Sequence, residues 1–318
     1  MSKKNRKKNL FGLFLLAFIG LLLSENPLEG WKGRQTGFFI GKDSFFFEQE
    51  ESTAPSENLT VHYLDVEKCN CALVCSSDGH FMLIDAGSND DAHTEETMEY
   101  LKAQGVERLD YLVVTHPHMD HIRSVPEIVN RFEVNEVLMG DFSPDMVGTK
   151  IYCMVLDAIQ EKGILRTSPA EGEVYQLGNA SFSILANDDS AQTAAEDLNN
   201  TSIVLRLTDG LHDFLFCGDA EKELEAALLE KNADLSADVL LAAHHGSSSS
   251  NSPAFLEAVG PQIVVISCGA DMDGEAQKPA QSVLKAFENL GTKVFRSDEN
   301  GDVVIESLQE GLRIRTEK

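Results

Sequence analysis

Residues 115–121, with the sequence THPHMDH, place three histidines and one aspartate within six consecutive positions. The whole chain of 318 residues has only 9 histidines, so three in one short window are strongly concentrated. The apolar run YLVV at 111–114 precedes them and predicts a short strand that is buried on both faces. A loop at a strand end can direct several side chains to one ion, and imidazole with carboxylate suits zinc, manganese or iron. The segment therefore predicts a metal site in preference to a solvated polar loop.

Two more apolar strands are followed by residues of the same kinds. FLFC at 214–217 leads through a glycine to Asp219, and VLLAA at 239–243 leads to His244 and His245. A carboxylate in the first position can bridge two cations, with one oxygen on each. Taken alone, the histidine pair is explained about equally well by a polar turn whose hydrogen bonds are satisfied. Beside the 115–121 cluster, we favour a metal ligand.

Strand and helix signals between residues 58 and 318 occur twice in the same order, first successive strands and then strands that alternate with helices. The predicted strands are 60–66, a hairpin within 71–87, 111–116, 180–186, 201–208, 213–217, 238–243, 262–268, 292–296, 302–306 and 312–316. The predicted helices are 91–105, 124–132, 147–162, 221–231 and 280–290. The double pattern predicts an α/β (α+β) fold, a four-layer αββα sandwich with the metal cluster at one edge between the sheets. The hairpin ends in LIDAG, where Asp85 is expected to orient a ligand without binding metal itself.

The first 24 residues have the shape of a signal peptide or membrane anchor. SKKNRKK at 2–8 is followed at 10–23 by 14 residues that are all apolar or glycine, with no amphipathic face of the kind a core helix shows. We therefore predict a signal or anchor over 1–24, a linker over 25–57 and one folded domain over 58–318. The predicted location is extracytoplasmic, either secreted or anchored to the membrane by the N-terminal segment.

The charge of the chain is strongly negative. Its formal charge is −26, and five of its 26 basic residues lie in the first eight positions, so the predicted domain is more acidic still. Such a composition excludes nonspecific polyanion binding by a basic surface. The six cysteines lack the paired C-x2-C spacing of a zinc ribbon. Export would allow a disulfide among Cys69, Cys71 and Cys75, without indicating which two would pair.

HPHMDH followed by GDA and HHGS resembles the signature of the metallo-β-lactamase fold hydrolases. The closer resemblance is to the extracytoplasmic hydrolase domain of ComEC competence proteins and their stand-alone relatives. It is carried, in family order between residues 60 and about 306, by LIDAG, THPHMDH, NNTSIVLRL (199–207), FLFCGDAE, ADVLLAAHHGSSSS and PQIVVISCG (261–269).

The resemblance implies a centre for two divalent metal ions, zinc or manganese. His116 and His118 would hold the first ion, Asp120 and His121 the second, and Asp219 would bridge them. One histidine of the 244–245 pair would complete the second site, and its position directly after the strand favours His244.

Three segments depart from the family pattern. No histidine occurs at 198–202, where Asn200 or its neighbour would stand in as a poor oxygen ligand and leave the first ion weakly held. The glycine pair usual after the DH is replaced by Ile122 and Arg123. The late Y-G-H-P segment is replaced by QKP, with Lys278 where a histidine would assist the leaving group or substrate phosphate.

The implied activity is hydrolysis by a hydroxide that bridges the two ions, with His116, His118 and Asp120 as catalytic residues and Asp120 as proton acceptor. Ser247 is a candidate donor to a substrate oxyanion. The resemblance implies a phosphodiester substrate, such as single-stranded DNA, whereas the acidic charge favours a small phosphoester such as phosphorylcholine. The alternatives are a lactonase or β-lactamase, and a weak or inactive metal-binding adaptor at the surface. The membrane is a partner if the N-terminal segment is retained, and the sequence indicates no protein partner.

Overall fold

Two mixed β-sheets lie at the centre of the protein. The computed structural model describes residues 36–41, 44–48, 58–188, 197–269 and 279–318, which all belong to one compact unit. The predicted signal or anchor at 1–24 and Lys278 lie outside the described residues. No helix in these ranges has the length and apolar character needed to cross a bilayer.

The first sheet has the strand order β2-β1-β17-β16-β3-β4-β5-β6-β7-β8. Its strands are β1 Thr36–Gly41, β2 Ser44–Glu48, β3 Thr60–Tyr63, β4 Ala72–Cys75, β5 Phe81–Ile84, β6 Arg108–Val114, β7 Glu133–Met139, β8 Leu165–Thr167, β16 Val303–Leu308 and β17 Gly311–Thr316. The strands pair antiparallel from β2 to β5 and parallel from β5 to β8.

The second sheet repeats this plan in the order β15-β14-β13-β12-β11-β10-β9. Its strands are β9 Val174–Leu177, β10 Ala180–Ala186, β11 Val204–Thr208, β12 Asp213–Phe216, β13 Val239–Leu241, β14 Ile263–Ile266 and β15 Lys293–Arg296. Pairing is antiparallel from β9 to β12 and parallel from β12 to β15. The predicted repetition of a meander followed by an alternating half is therefore present in both sheets.

Three apolar clusters separate four layers. The helices are α1 Asp91–Ala103, α2 Met119–Ile122, α3 Val125–Arg131, α4 Pro144–Val147, α5 Lys150–Lys162, α6 Lys222–Glu230, α7 Pro253–Val259, α8 Gln281–Leu290 and α9 Ser297–Asn300, with 3-10 turns at Leu198–Thr201 and Ala243–Gly246. One cluster joins the inner faces of the two sheets, one lies under α1, α3 and α5, and one lies under α6, α7 and α8. The αββα sandwich predicted from the sequence is confirmed.

The structure differs from the predicted linker at 25–57. Residues 36–41 and 44–48 form the hairpin β1–β2, which adds two strands to the first sheet. The partner of β1 is β17, at the other end of the chain, so the pairing that stabilises it is not visible in the local sequence. All six cysteines are free thiols, and no disulfide joins Cys69, Cys71 and Cys75.

Candidate metal centre

The parallel halves of both sheets end where the candidate ligands lie. Asp85 follows β5 and Thr115 and His116 follow β6, whereas Asp219 and the histidine pair at 244–245 follow β12 and β13. The carboxyl ends of parallel strands share one edge of a sheet, and their loops are free of the hydrogen-bond ladder. Loops from the two face-to-face sheets therefore meet at one place, where their side chains converge.

The first cluster consists of His116, His118 and Asp219, whose ligand atoms lie within 4.8 Å of one another. His116 Nε2 is 3.1 Å from His118 Nδ1 and 3.8 Å from Asp219 Oδ2. His116 and Asp219 are buried, whereas His118 is partly exposed. The cluster therefore has one side that is open to solvent.

The second cluster consists of Asp120, His121, Asp219 and His245, again within 4.8 Å. Asp219 Oδ1 lies 3.1 Å from His121 Nε2 and 3.8 Å from His245 Nε2. His245 Nε2 is 3.3 Å from Asp120 Oδ2. The two clusters share the Asp219 carboxylate, and each faces its own oxygen, which is the arrangement of a bridging ligand.

The histidine of the second cluster is His245 and not the predicted His244. His244 faces the other oxygen, with its Nε2 3.6 Å from Asp219 Oδ2 and its Nδ1 3.1 Å from Glu221 Oε1. Both residues have left-handed backbone conformations, with φ of 51° and 54°. The sequence-based choice assumed that an extended strand continues to the first histidine, whereas β13 ends at Leu241 and a tight turn follows.

Asp85 contacts His121 and Thr115, and its role in orienting a ligand stays a prediction. Its Oδ2 lies 2.7 Å from His121 Nδ1, and its Oδ1 accepts the Thr115 backbone N–H at 2.8 Å. His245 is held in the same way, with its Nδ1 3.1 Å from the carbonyl oxygen of Ser267. Imidazoles that bind metals usually donate their second ring N–H to a carboxylate or carbonyl, so both rings are oriented as ligands.

Asn200 is not placed as the substitute oxygen ligand. Its Oδ1 accepts the backbone N–H of Glu221 at 3.1 Å. Asn199 Nδ2 donates to Glu221 Oε1 at 3.3 Å, and its buried Oδ1 has no hydrogen-bond partner among the described residues. The hydroxyl of Ser247 bonds that of Ser249 at 2.9 Å, so its predicted role toward substrate stays a prediction.

The ionisation states follow from burial and from the charges of neighbouring residues. Burial lowers the pKa of His116 well below its ordinary value, and His121 lowers it further. Burial also opposes protonation of His121, but Asp219 and Asp85 outweigh it and raise the pKa of this histidine well above its ordinary value. Burial would raise the pKa of Asp219, yet the charges of His121 and His245 hold it well below its usual range. His116 and Asp219 therefore have the protonation states that bind cations, whereas His121 has to release a proton.

Two buried atoms at the centre indicate that a cation fits there. His121 Nε2 and Asp219 Oδ1 are 3.1 Å apart, yet neither has a hydrogen-bond partner in the described part of the chain. Buried polar atoms are rarely left unsatisfied in native proteins. A cation within the second cluster would provide a partner for both atoms, and the mixed nitrogen and oxygen donors suit zinc or manganese.

Two residues that complete this arrangement were missed in the sequence. Thr115 Oγ1 donates to Asp85 Oδ2 at 2.8 Å and fixes that carboxylate, although Thr115 begins the quoted motif. Glu221 holds His244 and follows the GDA motif by one residue. A ligating imidazole needs a carboxylate partner, so a carboxylate near His244 could be expected from the sequence. Only the folded turn identifies that carboxylate as Glu221.

Comparisons with known proteins agree with this geometry. The family model described as "Metallo-beta-lactamase superfamily" matches residues 64–154. The chain is 30% identical over 205 residues to ComE operon protein 3 of Bacillus subtilis, which is 64% of this chain and 25% of that protein. It is 28% identical over 268 residues to competence protein ComA of Neisseria gonorrhoeae, covering 84% of this chain and 34% of that protein. The chain thus spans about a quarter to a third of the length of these relatives.

Solved structures have the same fold at low identity. The metallo-beta-lactamase fold protein YhfI of Bacillus subtilis superposes with a TM-score of 0.52 at 14% identity, covering 78% of this chain and 100% of YhfI. CmlA, a diiron beta-hydroxylase of Streptomyces venezuelae, gives a TM-score of 0.53 at 14% identity, covering 82% of this chain and 55% of CmlA. These solved structures, at 14% identity, show the fold alone. The family model and the competence relatives agree with the resemblance that the motifs predict. The protein therefore has the metallo-beta-lactamase fold, its residues 64–154 match the metallo-beta-lactamase superfamily model, and the chain is similar to part of the competence proteins.

Proposed function

We propose that this chain is a metal-dependent hydrolase with a dinuclear centre that acts on phosphodiesters. The observation that carries the proposal is the buried Asp219 carboxylate, whose two oxygens face two separate sets of ligands. When bound, two divalent cations would supply Lewis acidity that lowers the pKa of water and neutralises charge developing on a phosphoryl group. His116, His118 and Asp219 would hold one cation, and Asp120, His121, Asp219 and His245 the other.

Asp120 is the proposed proton acceptor. Burial would raise its pKa, but the hydrogen bond with His245 and the charge of His121 outweigh that effect and lower the pKa. The carboxylate is therefore ionised at neutral pH. The Asp120 side chain is 33% exposed, compared with 2% for Asp219, so water reaches Asp120 more readily.

The proposed substrate class rests on the relatives and on charge. The competence relatives favour a phosphodiester such as single-stranded DNA. The net charge of −26 favours a short substrate over a long polyanion, since long DNA gains affinity when Lys and Arg neutralise its phosphates and release the condensed counterions into solution. Lys222 is an exposed cation that contacts the serine segment after the histidine pair, because its Nζ donates to the Ser248 carbonyl at 2.7 Å. We also propose an extracytoplasmic location, which rests on the apolar segment at 10–23.

The test is a panel of substrates with protein that has been stripped and reloaded with zinc or manganese. Bis-p-nitrophenyl phosphate, p-nitrophenyl phosphorylcholine, a short DNA strand and nitrocefin separate a diesterase, a phosphorylcholine esterase, a nuclease and a β-lactamase. We expect turnover of the phosphodiesters only, loss of turnover in His116→Ala and Asp120→Ala, and retention in the control His80→Ala. Hydrolysis of nitrocefin alone, or metal binding with no turnover of any substrate, would contradict the proposal.

A further inference from the structure

The first cluster has three ligand residues, compared with four in the second cluster. Its members are His116, His118 and one oxygen of Asp219, whereas the second cluster also has a carboxylate of its own. The segment around Asn200 is bonded to Glu221 and contributes no histidine.

His244 lies outside the group of ligand atoms within 4.8 Å of one another, but it approaches the Asp219 oxygen of the first cluster. Its Nε2 is 3.6 Å from Asp219 Oδ2, the same oxygen that lies 3.8 Å from His116 Nε2. Tetrahedral zinc with bonds of about 2.1 Å places its ligand atoms about 3.4 Å apart. The separation of His244 from the shared oxygen is therefore close to that of two ligands on one ion.

The other ring nitrogen of His244 is oriented as it is in a ligand. Its Nδ1 lies 3.1 Å from Glu221 Oε1. The same carboxylate oxygen accepts from Ser249 Oγ at 2.8 Å and from Asn199 Nδ2 at 3.3 Å. Glu221 thus stands to His244 as Asp85 stands to His121, a carboxylate that fixes the ring while Nε2 points to the centre.

The backbone explains how two neighbouring residues can serve the same centre. In a strand, successive side chains point to opposite faces. His244 and His245 instead have consecutive left-handed conformations, with ψ of 45° and 29°. The turn brings both imidazoles to Asp219, with His244 3.6 Å from Oδ2 and His245 3.8 Å from Oδ1.

We infer that His244 is the third nitrogen donor of the first cation site, together with His116, His118 and Asp219 Oδ2, and that Glu221 is its positioning residue. This inference rests on the proposed dinuclear centre. The histidine pair divides between the two ions, with His244 on the first and His245 on the second. The first site is then complete without a histidine in the 198–202 segment. It should bind zinc with an affinity comparable to that of the second site, in contrast to the weak site that the sequence predicts.

Metal stoichiometry tests the inference directly. The full chain would be stripped with a chelator, equilibrated in buffers of defined free zinc, and counted for bound ions by native mass spectrometry. We expect two ions on the wild type and on His80→Ala, a histidine that is also paired with a carboxylate but lies outside both clusters. His244→Ala and His245→Ala should each hold one ion at the same free zinc. Circular dichroism would establish that each variant is folded.

Double variants show which ion is lost. If His116 and His244 serve the same cation, adding His244→Ala to His116→Ala should leave the single remaining ion unaffected. Adding His245→Ala to His116→Ala should remove that ion. Glu221→Gln should weaken the first site by about 10–100-fold and leave the second unchanged, as expected for the partner of a ligating imidazole.

A spectroscopic test distinguishes ligation from a structural role. His244→Cys loaded with Co²⁺ should show a thiolate-to-metal charge-transfer band that the cobalt-loaded wild type lacks, because the band requires a bond between sulfur and metal. Two ions of unchanged affinity in His244→Ala, or loss of an ion in Asn199→Ala and not in His244→Ala, would overturn the inference. A wild-type chain that binds no ion would instead overturn the proposed function, and a chain with two ions but no turnover would leave the inference intact.

Discussion

Three residues around the centre have backbone conformations that side chains rarely adopt. Asp85, His244 and His245 have φ of 57°, 51° and 54°, and each follows the end of a parallel strand. A non-glycine residue in this region costs on the order of 1–3 kcal/mol and persists only where its surroundings require it. Here each conformation directs a polar side chain toward Asp219 or toward one of its neighbours. The strain is therefore located where ligand geometry, and not core packing, determines the backbone.

Asp85→Asn tests the link between orientation and metal affinity. The amide cannot supply the negative charge that holds the His121 ring, to which Asp85 Oδ2 lies 2.7 Å away. We expect the affinity of the second cation site for zinc to fall by about 10–100-fold, with the fold retained. Competition with a chromophoric zinc chelator measures the affinity.

Asp110→Asn is the matched control for this variant. Asp110 also pairs with a histidine, His80, at 3.0 Å, but His80 precedes β5 and Asp110 lies near the start of β6, at the opposite end of these strands from Asp85. Its substitution should leave zinc affinity unchanged. An equal loss in both variants would mean that general electrostatics, and not ring orientation, sets the affinity.

Asp302 should make stability depend on pH. Burial, with Glu317 and Asp65 nearby, raises the pKa of Asp302 to about 6. A carboxyl with a raised folded pKa contributes stability that is fully present below its unfolded pKa of about 3.9 and is lost as pH rises through about 6. Asp302→Asn keeps the acceptor for the Asp65 backbone N–H, at 2.7 Å, and removes the charge. Urea unfolding should show that Asp302→Asn raises the free energy of unfolding by roughly 1–2 kcal/mol at pH 7–8, and that this gain disappears near pH 4. A gain of the same size at both pH values would contradict this assignment.

At the scale of elements, the loop after β5 packs against the start of α2 without room for a side chain. A Cβ on Gly87 would lie 1.7 Å from the backbone oxygen of Asp120. Asn70 connects the same two segments, because its N–H donates to Asp120 O at 3.0 Å and its carbonyl accepts the Gly87 N–H at 2.8 Å. The position of Asp120 therefore depends on this contact between elements.

Gly87→Ala should displace the Asp120 backbone and with it the second cation site. We expect a loss of bound metal together with a loss of several kcal/mol of stability, because a backbone atom cannot move aside as a flexible side chain can. Gly163→Ala is the comparison, since no atom lies within 4 Å of its added Cβ and only its positive φ of 65° is strained. That variant should lose about 1 kcal/mol and keep its metal, as measured by thermal unfolding and metal content. Full metal content in Gly87→Ala would show that the contact does not position Asp120.

Elements with a strong local pattern could be predicted, and those that depend on distant partners could not. The apolar run before His116 and the capped, periodic segment of α1 were predicted within a few residues of their ends. The strands β1 and β2 were read as linker, because β1 is stabilised by β17 at the far end of the chain. The strands β8 and β9 were not predicted because they have only three and four residues, and the seven-residue strand β7 and helix α7 were also missed.

The composition of the candidate site was more predictable than its geometry. The residue types and their strand-end positions indicated the convergence on Asp219. The sequence did not indicate which histidine of the pair at 244–245 belongs to which cluster, because two consecutive left-handed residues have no sequence signature unless one is glycine. For the same reason the role of Glu221 became clear only in the folded turn.

At the scale of the whole molecule, the apolar core stabilises the fold independently of the metal centre. The three apolar clusters that join the four layers are built from buried hydrophobic side chains and include no candidate ligand. A domain of this size buries enough apolar surface to fold without a metal. Removal of metal by a chelator should therefore leave the far-ultraviolet circular dichroism unchanged, unlike the behaviour of a zinc finger.

Metal binding should nevertheless stabilise this prefolded domain, by an amount that depends on occupancy. A ligand at 1,000 times its dissociation constant adds about 4 kcal/mol to the free energy of unfolding, which corresponds to roughly 10 °C in Tm for a domain of this size. We expect zinc to raise the Tm of the stripped wild type by about this amount. Asp219→Asn should lose most of the rise, because both clusters share that carboxylate, whereas Asp110→Asn should keep it. Differential scanning calorimetry over a series of free zinc concentrations measures the effect. A stripped protein that is already unfolded at 25 °C would mean that the cations hold the fold together, and that the apolar core does not fold without them.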